Sequence, residues 1–343
     1  MLGAGPPAAA QDQHEDLRPP KPLFASEDML RLRIEGPISR IVRRAARSTE
    51  PHDAHISLPG TQEGTLEIKL AARGKSRRRE DVCDFPPLRV RFPDRPDHGA
   101  FKGQKGLKLV THCHRSDRRQ HYVLMEYTAY RMLSATSPQS LSVRLAEIEY
   151  VEAGSDRVYA KRYGFFIEDA DDTAKRNRMK EIDIPSSISL AHLSAEAAAR
   201  LALFQFLIGN VDYSPLSGPA GADCCHNVKL MGAKKSSRDN LIPLPYDFDQ
   251  TGIVDPPDPL FPENLSIKDH RDRLYRGFCV HNDHVRNEAA NFLEQRGDIE
   301  AAFSGLPEIP SRRLASAEAF IADFFHILSD PDEFERQIIR KCR

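Results

Sequence analysis

The period of the apolar pattern changes near residues 168–173, and no other feature constrains the fold so strongly. Before that point TLEIKLAA (65–72), LRVRF (88–92), LKLVTHC (107–113), SVRLAEIEYV (142–151) and RVYAKRYGFFIED (157–169) follow the two-residue repeat of strands. Gln120 to Leu133 interrupts the series, placing Val123, Tyr127, Tyr130 and Leu133 on one helical face with Glu126 beside them. After it helical spacing dominates. SAEAAARLALFQFLIG (194–209) has Ser194 as N-cap, Glu196 in the first turn, and Leu201, Phe204, Gln205 and Ile208 as one buried stripe. Further helices are expected from Asp172, as N-cap of DTAKRNRMKE, and near 283–303, 311–328 and 332–341. The order β-β-β-α-β-β followed by helices predicts an α+β chain: a small antiparallel sheet carrying one helix, then a mostly helical part. Three segments follow: 1–24 as a tail, 25–170 as the β-rich lobe and 171–343 as the helical lobe.

A chain of 343 residues can bury a full core and has room for two lobes. With 40 % apolar and 29 % charged residues it has an ordinary globular composition. No apolar run approaches the roughly 20 residues that cross a bilayer, so no transmembrane span is expected. A net charge of −1 lacks the basic excess of a dedicated nucleic-acid binder, and no nucleic-acid partner is expected. Residues 27–48, EDMLRLRIEGPISRIVRRAARS, read as a short helical stretch with a solvated basic face at Arg40, Arg43, Arg44 and Arg47.

The N-terminus leaves two readings open. MLGAGPPAAAQDQHEDLRPPKP has the composition of a disordered tail, yet PPAAAQ resembles the small-residue end of a secretory signal. On the second reading the protein is exported, periplasmic or secreted; otherwise it is cytoplasmic. Cys83, Cys113, Cys224, Cys225, Cys279 and Cys342 lack framework spacing. Adjacent Cys224 and Cys225 cannot easily fill two corners of a tetrahedron, which counts against a zinc site built from Cys224-Cys225-His226 with Cys279 and His281. A vicinal or long-range disulfide fits an exported chain.

Chemistry concentrates between Phe204 and Gly252. An apolar helix stops at Gly209-Asn210, Asp212 follows in a turn, His226-Asn227 leads into a second apolar run, and LIPLPYDFD ends in Asp247 and Asp249. Phosphoryl transfer needs a cation for the phosphates, an acid to hold that cation, an Asp for the attacking hydroxyl, and an Asn and an Asp for Mg²⁺. Lys108, Glu126, Asp212, Asn227 and Asp247 occur in that order. Two nearby carboxylates at Asp247 and Asp249 repel unless a cation holds them. As competing readings, Asp212 is a turn residue, Asp247 a strand-end cap, Lys108 a solvent-facing strand residue and His226 a local hydrogen-bonding group. There is no G-x-S-x-G, H-E-x-x-H, Walker or Rossmann signature.

GNVDY, HN and LPYDFDQTG resemble the atypical protein-kinase-like fold, in particular the branch containing the spore-coat kinase CotH and the toxin kinase HipA. The element order matches over 65–255 and the motifs over 210–252. The resemblance implies a two-lobed kinase-like fold and a Mg-ATP-dependent phosphotransferase acting on a hydroxyl acceptor. It makes Asp212 the catalytic Asp and makes Asn227, Asp247 and Asp249 the metal residues. Lys108, paired with Glu126, would lie on the phosphates, and YGFFIED (163–169) at the adenine edge. The chain departs from the pattern in lacking a glycine-rich loop, where Lys75, Arg77, Arg78 and Arg79 offer direct charge instead, and in a long insert, SPLSGPAGADCC, between Asp212 and Asn227. These departures leave two rivals: an inactive binding module of the cell envelope, and a metal-assisted hydrolase using Asp212, His226, Asp247 and Asp249.

Overall fold

The computed structural model describes residues 17–343 apart from 156, 258, 260–264 and 266. Ten strands are described: β1 (Leu30–Gly36), β2 (His52–Ser57), β3 (Thr65–Ala72), β4 (Leu88–Arg91), β5 (Gly106–Val110), β6 (Val143–Glu152), β7 (Val158–Ile167), β8 (Lys180–Ile182), β9 (Val228–Gly232) and β10 (Ile242–Pro245). The helices are α1 (Ile38–Arg44), α2 (His121–Thr136), α3 (Ala170–Arg176), α4 (Ala195–Ile208), α5 (Asn282–Glu294), α6 (Arg296–Glu300), α7 (Ser311–Ser329) and α8 (Pro331–Gln337).

The first seven strands close into a barrel in the order β1-β2-β3-β4-β5-β7-β6. β1 pairs antiparallel with β2 and parallel with β6, where Leu30 lies opposite Ala146 and Gly36 opposite Glu152. The expected two-lobed, kinase-like α+β chain with a small antiparallel N-terminal sheet is therefore corrected. The reason lies in residues 27–48, taken as helical. Leu30, Leu32 and Ile34 are buried on alternate positions and form a strand, and only Ile38–Arg44 is helical. With β2, two further strands precede the five expected, and β1 supplies the parallel join that closes the sheet.

Inward-pointing Ile34, Ile56, Ile68, Leu70, Val90, Leu107, Leu109, Ile148 and Phe166 belong to one apolar core. A second core joins α2, α4, α5 and α7 through Tyr130, Phe204, Phe206, Phe292 and Phe324. A separate three-stranded sheet, β10-β9-β8, has its own cluster around Ile182, Leu201, Val228 and Leu230. β8 falls where DTAKRNRMKE was expected to stay helical. The helix is capped earlier, by Asp169 accepting from the Asp171 N–H, and ends before Arg178, whose φ is 56°.

Of the segment taken as tail, residues 1–16, with PPAAAQ, lie outside the described residues. Leu23 and Phe24 are buried in a short 3-10 turn. All six cysteines are paired, as Cys83–Cys113, Cys224–Cys225 and Cys279–Cys342.

Candidate functional site

Two chain features aim the central residues. α4 begins at Ser194, whose hydroxyl accepts the Ala197 N–H, and ends at Gly209 with φ 65°. A Cβ at Gly209 would lie 2.8 Å from Phe320 Cζ and 3.2 Å from Gly252 Cα, so both the conformation and the space demand glycine. The chain then turns through Asn210, whose side-chain oxygen accepts the Asp212 N–H at 2.9 Å. The second feature is the β9–β10 hairpin, in which Val228 opposes Pro245 and the Tyr246 N–H donates to Asn227 O at 3.0 Å. Asn227 and the YDFD segment therefore leave the same end of the sheet. Asn227 and Asp247 both have positive φ, 51° and 68°. Asn and Asp adopt this conformation more readily than other residues with a Cβ, and such positions concentrate at functional sites.

Asp212 sits in a polar trio. His226 Nε2 lies 2.6 Å from Asp212 Oδ1, and the Asn227 side-chain amide donates to Asp212 Oδ2 at 3.0 Å and to its carbonyl at 2.8 Å. The hydrogen bond to Asp212 raises the His226 pKa above its usual value, against partial burial. Asn227, expected as a metal ligand, uses its amide nitrogen on Asp212; a metal would be held by its side-chain oxygen, which these two bonds do not occupy.

Asp247 and Asp249 meet Glu126 of α2. One oxygen of each of the three lies within 4.8 Å of the others. The buried Tyr130 hydroxyl accepts the Asp247 N–H at 3.0 Å and fixes the segment against α2. The sequence pattern placed Tyr130 only in the core.

Arg77 lies among the same three carboxylates. Its Nη1 is 3.1 Å from Glu126, Nη2 is 3.3 Å from Asp247 and Nε is 3.4 Å from Asp249. Burial opposes the guanidinium charge, but Asp249, Glu126 and Asp247 outweigh it and hold the pKa above its ordinary range. Glu126 is shifted upward as well, which for a carboxyl disfavours the charge: burial pushes it up to about 7, with Asp249 and Asp247 adding to burial and Arg77 opposing it. Its Oε1 is buried with no hydrogen-bond partner. All-oxygen donors with an unsatisfied buried oxygen fit a hard divalent cation such as Mg²⁺. A chamber of about 250 Å³ opens beside them, lined by Arg77, Tyr122, Val123, Glu126, Asp249 and Val254 among others.

Lys108 forms no ion pair with Glu126; Arg77 takes the place beside Glu126 that was expected of Lys108. It stands on β5 with Nζ 5.1 Å from the Tyr246 ring centroid. Burial, then Arg73, then Arg89 and Lys229 bring its pKa down to about 8, with Asp169 opposing. Lys75 is exposed and joins no ion pair among the described residues. Arg73 and Arg89 were passed over in the sequence, although the alternation of LRVRF puts Arg89 and Arg91 on one strand face. The zinc arrangement does not arise, because Cys224, Cys225 and Cys279 are all in disulfides.

Compared with family models and with curated proteins, the chain matches none.

Proposed function

We propose that this chain is a divalent-cation-dependent phosphotransferase that moves a phosphoryl group from ATP to a hydroxyl acceptor. The observation that carries the reading is a set of oxygen donors, Glu126, Asp247 and Asp249, together with a cation, Lys108, that lies against Tyr246, the residue before Asp247, and forms no ion pair among the described residues. Phosphate chemistry asks for that pairing: carboxylates for the metal, and a cation for the phosphate oxygens the metal leaves uncovered.

A Mg²⁺ held by Asp247, Asp249 and Glu126 would screen the negative charge of the phosphates. The remaining roles belong to the chain. Lys108, at a pKa of about 8, is still largely charged at neutral pH and would take phosphate oxygens. Asp212 would orient the acceptor hydroxyl, with His226 and Asn227 fixing both of its oxygens. The motif resemblance to the CotH and HipA branch enters only through Asp212, Asn227 and Asp247. The acceptor class is open to a protein hydroxyl, a sugar or a lipid headgroup. The three disulfides support an oxidising compartment as part of the proposal.

A second reading rests on Arg77. A guanidinium already bound to Glu126, Asp247 and Asp249 supplies the counter-charge itself, as it would in a binding module without catalysis.

Calorimetry of the protein with ATP and Mg²⁺, beside Asp247→Ala, separates the readings. Under the transfer reading wild-type binding requires Mg²⁺ and disappears in the variant. Binding that ignores Mg²⁺ and survives Asp247→Ala would favour the module. No nucleotide binding in either protein would end the transfer reading.

A further inference from the structure

The outer face of the barrel at β3, β4 and β5 gathers cations. Ile68, Leu70, Leu88, Val90, Leu107 and Leu109 point inward, so the alternate positions Lys69, Ala71, Arg89, Arg91 and Lys108 point outward. The register sets them side by side: Lys69 opposite Arg91, Ala71 opposite Arg89, and Arg89 opposite Lys108. Arg73 follows directly after β3, its N–H donating to Pro87 O at 2.8 Å. Lys69, Arg73, Arg89 and Arg91 surround a concavity of about 370 Å³ over Ala71 and Ala72.

These charges are poorly balanced from within. Lys69 pairs with the exposed Asp53, but among the described residues no carboxylate forms an ion pair with Arg73, Arg89, Arg91 or Lys108. The whole chain carries 49 basic against 50 acidic residues, so this local excess is a matter of placement rather than composition. Like charges held together on a rigid sheet repel, and a bound anion relieves them. Burial and the neighbouring Arg77 both lower the Arg73 pKa, against the pull of Asp247, in keeping with a guanidinium short of counter-charge.

We infer that the β3–β4–β5 face is a binding site for a compact ligand carrying two or more phosphate groups. Guanidinium forks bind phosphate oxygens in pairs, and arginines on adjacent strands, roughly 5 Å apart, can share neighbouring phosphates. The small side chain of Ala71 leaves the floor open to close approach. A single carboxylate would leave most of the cations unmatched. The site goes beyond the transfer reading, which uses none of Arg73, Arg89 and Arg91. Two sources share this chemistry: the phosphate chain of a nucleotide, and a phosphorylated small molecule serving as acceptor.

The test is calorimetry with tripolyphosphate, without metal, on wild type, Arg73→Gln, Arg89→Gln, Arg91→Gln and Asp247→Asn, with thermal midpoints to confirm folding. Wild type should bind in a salt-sensitive way, Arg89→Gln should weaken binding about tenfold, and Asp247→Asn should keep it. Arg91, exposed on the rim, gives a variant with little reason to misfold. ATP and fructose 1,6-bisphosphate then serve as competitors. Displacement by ATP, with ATP affinity falling in Arg89→Gln, assigns the site to the donor. Displacement by the sugar bisphosphate alone assigns it to a phosphorylated acceptor. The inference is overturned if folded wild type ignores tripolyphosphate, or if none of the arginine variants changes its binding. Mg-ATP binding that is lost in Asp247→Asn, in a protein whose tripolyphosphate binding is absent or untouched by the arginine variants, would overturn it while leaving the transfer reading standing.

Discussion

The guanidinium of Arg77 faces Glu126, Asp247 and Asp249 at 3.1, 3.3 and 3.4 Å, one positive charge among three carboxylates. Replacing it by glutamine removes the charge and shortens the side chain, so the carboxylates should then favour a divalent cation more strongly. Arg77→Gln is expected to gain more thermal stability from added Mn²⁺ than wild type does, and Asp247→Asn to gain less. Equal midpoint shifts in all three proteins would count against a cation site there. His112 offers a separate measurement. It is buried, its ring centroid is 4.5 Å from that of Phe85, and burial brings its pKa down to about 3. A histidine neutral in the fold and titrating near 6.5 when unfolded gives stability that is full above pH 6.5. That stability is lost as pH falls toward 3, at up to about 1.4 kcal/mol per pH unit. His112→Phe should flatten the slope of unfolding free energy between pH 6.5 and 4, read from urea curves. An unchanged slope would mean that other groups carry it. The sequence marked Asp212, Asn227, Asp247 and Asp249 because they follow elements in an order chemistry recognises. It could not show that Arg77, rather than Lys108, would meet Glu126. That contact joins residues 49 positions apart and depends on how the Ser76–Arg78 turn folds back over α2.

α4 is the element on which the Asp212 turn depends. Its N-cap at Ser194 and its Gly209 stop were both legible, because capping and left-handed termination are local chemistry. Gly209→Ala should cost at least about 1 kcal/mol from the positive φ alone. Contact with Phe320 and Gly252 adds to that. Chemical denaturation measures the loss, and a variant as stable as wild type would show that the turn can relax. β1 was misread for an instructive reason. MLRLRIEG has the alternation of a strand, but the following Ile38–Arg44 is a true helix, and the two run together in one charged, apolar stretch. β2 gives less warning still, since its two buried positions, Ala54 and Ile56, stand among His52, Asp53 and His55.

At the level of the molecule, closure is what no local pattern announces. Each barrel strand contacts a neighbour on both sides, and the last join unites segments distant in sequence. The Cys279–Cys342 bridge restrains the helical part, its ends 63 positions apart in sequence. Loop-closure entropy sets its stabilisation at about 4 kcal/mol. The Cys279→Ala, Cys342→Ala double variant should lose an amount of that order in denaturant unfolding. A loss near zero would mean that packing of α5, α7 and α8 alone fixes this region.

The parallel join of β1 to β6 sets a timetable for synthesis. Leu30 must find Ala146, a partner 116 residues later (146 − 30). Until the ribosome has delivered β6, the strands already made form an open sheet whose β1 has one unpaired edge, the kind of surface that invites pairing with another chain. A nascent chain halted before Val143 should therefore remain bound to chaperones or self-associate, and release should follow only once Ile167 has emerged and β7 has closed the ring between β5 and β6.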